Sequence, residues 1–79
     1  MEGLLMYKLI LEYRKAKILK RLDLYLDELN RLEEFHYYVG MDPAEYENRK
    51  IILKNRIVFL KRKLKIINKK LSFLGQKLA

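Results

Sequence analysis

Turn chemistry is confined to one place in this chain. The segment Tyr38-Val39-Gly40-Met41-Asp42-Pro43-Ala44-Glu45 holds a helix stop followed at once by a helix start. Gly40 suits the left-handed conformation that closes a helix, and Met41 behind it can fold its apolar side chain onto the last turn. Asp42 is a favoured N-cap type, Pro43 fits the first helical position, and Glu45 completes a capping-box pattern. Elsewhere the chain has two glycines, one serine (Ser72) and no threonine, whereas a strand protein needs turn residues about every 8 to 12 positions. The fold class is therefore all-α, an antiparallel two-helix hairpin. We read a single helical-hairpin domain over residues 1–79, with helix 1 about 3–38, the turn about 39–42 and helix 2 about 43–78. Each helix is then roughly 50 Å long at 1.5 Å per residue.

Both helices carry a coiled-coil period. In the second, Leu53, Ile57, Leu60, Leu64, Ile67, Leu71, Leu74 and Leu78 follow spacings of four and three without a miss, which predicts a continuous apolar seam. In the first, the matching seam is Leu4, Leu11, Ile18, Leu22, Tyr25, Leu29 and Leu32, and Lys8 and Lys15 take two of its inner positions. Those lysines can lay their stems on the seam and send their charges outward. The expectation is a looser half near the chain ends and a tighter half near the turn.

Two helices cannot surround all the apolar side chains that the sequence supplies. Ile52, Phe59, Ile66 and Phe73 recur every seven residues outside the second seam, and Leu5, Leu9, Tyr13, Leu19 and Leu26 widen the apolar surface of the first helix. A patch of that size exceeds what soluble monomers usually expose. These positions, with Ile52, Phe59, Ile66, Phe73, Leu5, Leu9 and Tyr13 foremost, form the candidate protein interface. Its occupant is either a second copy, giving a homodimeric four-helix bundle, or a larger protein.

The formal charge of +8 comes from 18 Lys and Arg against 10 Asp and Glu, and it is unevenly distributed. Residues 22–47 hold 8 acidic groups and one basic, a net of −7, while the remaining residues hold 17 basic and 2 acidic, a net of +15. Folding back on the turn stacks these blocks into an acidic turn end and a basic open end. From Asn48 to Ala79 there are 11 basic residues and no carboxylate. Arg49, Arg56, Lys63, Lys70 and Lys77 share one heptad position, which sets them in a row about 10 Å apart, and Lys61, Arg62 and Lys69 stand on other faces. Such a row can track a line of phosphates. The same run also fits a merely solvated face or, less well, an anionic membrane surface. Phe59 and Phe73 lie beside the row; at heptad spacing among isoleucines they read as buried core rather than as base-stacking platforms.

Enzyme chemistry finds little support. There is no cysteine and one histidine, so thiolate metal sites and Cys/His or Ser/His/Asp sets are absent, and no Gly-rich nucleotide loop occurs. Glu33-x-x-His36 has the spacing that di-iron bundles use, but it stands at the turn, where a partner pair cannot meet it. His36 is expected to pack on the turn instead. No cofactor or metal is called for. No stretch is long and apolar enough to span a bilayer, and the start of the chain lacks a secretory pattern; with no disulfide framework, a cytoplasmic setting is expected. The leaning to Lys, Glu, Arg, Ile and Tyr follows the composition of thermophile proteins.

These features together predict a small, basic, non-enzymatic accessory subunit of a nucleic-acid-processing complex, of which a DNA polymerase or replication complex in a thermophilic archaeon is one setting. Two alternatives fit the same residues: a free-standing homodimeric nucleic-acid-binding protein with weak sequence selectivity, or a purely protein-protein regulatory module, viral or plasmid-borne.

Overall fold

A computed structural model describes residues 2–78; the terminal residues of the expected 1–79 domain lie outside it. Two helices, α1 (Glu2–Phe35, 34 residues) and α2 (Pro43–Leu78, 36 residues), pack against each other along their lengths in a rod of 57 × 15 × 15 Å, with no strand among the described residues.

The turn forms by the chemistry read from Gly40, with one displacement. Regular helical geometry ends at Phe35 rather than near residue 38, because His36–Gly40 tighten into turns. The Tyr38 N–H donates to Phe35 O at 3.0 Å, a three-residue closure, before the chain reaches its stop. The stop itself is a paired closure around Gly40 at φ 63°. The Gly40 N–H donates to Tyr37 O at 3.3 Å and the Met41 N–H to His36 O at 3.1 Å, the two bonds of a Schellman motif. Asp42 begins α2 by accepting the Tyr46 N–H on its backbone carbonyl at 2.9 Å. The expected capping box is replaced: the Glu45 carboxylate, instead of reaching back to Asp42, accepts from Arg49 one turn ahead at 2.8 Å. Residues four apart are surface neighbours on a helix, which brings the Arg49 guanidinium within reach of this carboxylate.

Both seams form. Residues 8, 11, 15, 18, 22, 25, 29, 32 and 36 of the first arm and 46, 50, 53, 57, 60, 64, 67, 71, 74 and 78 of the second are the buried or half-buried ones, along with Met41 in the turn. The seams therefore run further than their leucines, taking in His36, Tyr46 and Lys50. The density of packing along them differs from the sequence expectation. Leu11, near the open end, is the most buried side chain at 1% exposure, and it forms a cluster with Ile67 and Leu74, flanked by Ile18 and Leu71. The half-buried Lys8 and Lys15 stand one turn to either side of it, so their stems close the seam around Leu11 instead of loosening it. Hollows flank the seam along its length, one of them a groove of about 390 Å³ at the turn end between Leu32, Phe35, Ile52 and Leu53.

His36 acts as a wedge in the turn. Its Nδ1 lies 3.0 Å from Glu33 O and 3.2 Å from Leu32 O; both partners are acceptors, so this nitrogen carries the proton and donates. The ring stacks on Tyr46 of α2 at 3.9 Å with an interplanar angle of 15°. A ring so placed ties the last carbonyls of α1 to the first turn of α2.

Candidate nucleic-acid interface

In an antiparallel helix pair, the positions on one flank of the first seam face the same heptad positions of the second. The row Arg49, Arg56, Lys63, Lys70 and Lys77 precedes the seam residues Lys50, Ile57, Leu64, Leu71 and Leu78 by one; the equivalent positions of α1 are Tyr7, Arg14, Arg21, Glu28 and Phe35. Three hollows run in line along this flank. At the turn end Arg49 and Arg56 meet Glu28 and Phe35. Midway, Lys63 meets Arg14, Lys17 and Arg21 over a floor of Ile18, Leu60 and Ile67. At the open end Lys70 and Phe73 meet Leu4 and Tyr7.

The basic row is thus one wall of a groove whose other wall is also basic in its middle third. Arg14, Lys17 and Arg21 belong to the site and were not singled out from the sequence. The signal was present, because Arg14 and Arg21 occupy the flank position that antiparallel pairing brings opposite the α2 row. The remaining sequence candidates separate. Lys61 lines the opposite flank of α2 with Leu64 and Lys65, Arg62 is exposed on the outer face, and Lys69 borders both the open-end hollow and the opposite flank.

Charge compensation along the groove is one-sided. Among the described residues two ion pairs form, Asp27 with Arg31 at 3.1 Å and Glu45 with Arg49 at 2.8 Å, both i, i+4, exposed and near the turn. Arg49, at the head of the row, is therefore partly neutralised. Further along, the cations lean on aromatic rings instead. The Arg56 guanidinium lies 5.7 Å from the Tyr25 centroid, Lys63 Nζ 4.6 Å from that of Phe59, and Lys77 Nζ 5.5 Å from that of Phe73. Ring faces hold these cations in place without cancelling their charge.

The candidate protein interface divides in two. Ile52, Ile66 and Phe73 line the groove flank, and Phe59 shares their heptad position. Leu5, Leu9 and Tyr13 follow a stripe on α1 that lines none of the three hollows, and they are 53%, 56% and 62% exposed. The two apolar sets flank the hairpin on different sides. Phe59 and Phe73 are 56% and 58% exposed in the single chain, outside the seam as their spacing placed them, so burial of their rings requires a partner. No group of three or more His, Cys, Asp or Glu side chains is placed to hold a metal ion, and no helix is long and apolar enough to cross a membrane, among the described residues.

Comparison with protein-family models, with curated proteins and with solved structures finds no match to this chain.

Proposed function

We propose that the chain is a non-enzymatic accessory subunit of a nucleic-acid-processing complex, binding phosphates along the groove flank and docking protein through its other apolar side. The supporting observation is the double wall of cations, Arg14 and Arg21 on α1 against Lys63 on α2, in a stretch where no carboxylate among the described residues pairs with them. Like charges facing one another across a groove repel, and a bound anion relieves that repulsion. Contacts of this kind position a polyanion and read no sequence. Leu5, Leu9 and Tyr13 lie away from the groove, so a second copy or a larger protein can dock there while the groove stays open. The acidic turn end and the basic open end favour an antiparallel second copy.

Charge reversal at Lys63 and Lys70 tests the phosphate reading. Both side chains are exposed outside the seam, so helicity by circular dichroism should be unchanged. Affinity for nucleic acid should fall, and the slope of log affinity on log salt should flatten by roughly 0.7 to 0.9 for each lost contact. Unchanged affinity and slope in the reversed variant refute it. Sedimentation at micromolar concentration addresses docking: a dimer that dissociates in Leu5→Glu, Leu9→Glu supports the second copy, and a stable monomer that binds no apolar dye removes the argument from exposed surface.

A further inference from the structure

Resting on that reading, we infer that the nucleic acid taken by the groove is single-stranded, its phosphates held by the cationic walls and its bases laid against the exposed side chains of Ile52 and Ile66 and the exposed rings of Phe59 and Phe73.

The argument is one of chemical pattern. Along α2 an apolar residue is followed four positions later by a cation, four times over: Ile52 and Arg56, Phe59 and Lys63, Ile66 and Lys70, Phe73 and Lys77. Each repeat rises about 10 Å. Residues four apart are surface neighbours on a helix, and two of the pairs show it directly, with Lys63 Nζ 4.6 Å and Lys77 Nζ 5.5 Å from their ring centroids. The resulting surface alternates an apolar element with a positive one at close range, and a ligand that satisfies it must do the same.

A duplex does not. Its phosphates lie outside and its bases are stacked and paired within, so it can meet the lysine row while the exposed side chains of Ile52 and Ile66 and both phenylalanine rings stay in water. A single strand offers, nucleotide by nucleotide, a phosphate and an unpaired base with a π-face, and proteins that take such strands combine a positive groove with aromatic platforms. Both elements are present here. The hollows of about 390, 390 and 440 Å³ follow one another along the same flank, giving a track rather than an isolated pocket. Phe59 and Phe73 are more than half exposed and stand about 21 Å apart along the helix, so one strand can engage both. A second copy docked in full register on this flank, with the two turn ends at opposite ends, would set the cationic middle third of one chain, Arg14, Arg21 and Lys63, against that of the other.

The test uses the full chain and two labelled probes, a 20-nucleotide oligo-dT and a 20-base-pair duplex, titrated by fluorescence anisotropy at matched salt. The single strand should bind at least ten-fold more tightly. Phe59→Ala with Phe73→Ala should weaken the single strand about ten-fold or more while leaving duplex affinity, salt slope and helicity unchanged. Lys63→Glu should weaken both probes. Duplex binding equal to that of the single strand in the parent chain overturns the inference and leaves the phosphate reading standing, as does a Phe variant that binds oligo-dT like the parent. Poly-glutamate binding as tightly as oligo-dT also overturns it, since the groove would then answer to negative charge alone. If neither nucleic acid binds at low salt, this inference and the function it rests on fall together.

Discussion

Replacing glycine by alanine at two positions should move stability in opposite directions. Gly40 sits at φ 63°, and a Cβ built there meets nothing within 4 Å. The cost of Gly40→Ala is therefore purely conformational, about 1 to 2 kcal/mol for an L residue in the left-handed region. Gly75 lies within α2 with no positive φ, and a Cβ there also meets nothing within 4 Å. Alanine at that site removes the backbone entropy that glycine loses on folding, a gain of about 0.5 to 1 kcal/mol, nearer the lower figure because Gly75 is in the last turn. In a domain of this size 1 kcal/mol moves the melting midpoint by about 4 to 8 °C. Gly40→Ala should thus melt roughly 5 to 15 °C lower and Gly75→Ala a few degrees higher, by far-UV circular dichroism at one fixed protein concentration. Gly40→Asn should fall between the alanine variant and the parent, since asparagine tolerates the left-handed region. A Gly40→Ala chain as stable as the parent would refute the reasoning, because the paired closure by Gly40 and Met41 would then not be what ends the first arm.

Three further outcomes can be read in the same melting experiment. Leu11→Ala should cost about 2 to 5 kcal/mol, because Leu11 is 1% exposed at the centre of the cluster; the control Leu24→Ala, at a site 60% exposed, should change stability by less than about 0.5 kcal/mol. Lys15→Leu should stabilise by roughly 1 kcal/mol, the worth of a partly buried leucine in the seam, and a lower midpoint would mean that the ammonium group itself contributes there. Glu45→Ala should cost less than about 0.5 kcal/mol, since its pair with Arg49 is solvent-exposed.

How much of the molecule was legible follows from how local each feature is. The turn and the two seams are written in neighbouring residues, because a left-handed stop needs Gly40 itself and a helix face needs only spacings of three and four. The acid-free character of residues 48–79 is likewise a property of the linear chain. Across-chain relations were not legible in the same way. That Leu11 is the best-buried side chain depends on Ile67 and Leu74, more than fifty residues away in sequence. Whether the Glu45 carboxylate closes a capping box or pairs with Arg49 is decided by side-chain geometry. The composition of the groove is the clearest case. Helical periodicity sets Lys63 in a row and Arg14 and Arg21 in another, but only antiparallel packing determines that the rows face one another over an apolar floor while Leu5, Leu9 and Tyr13 are carried to a different side.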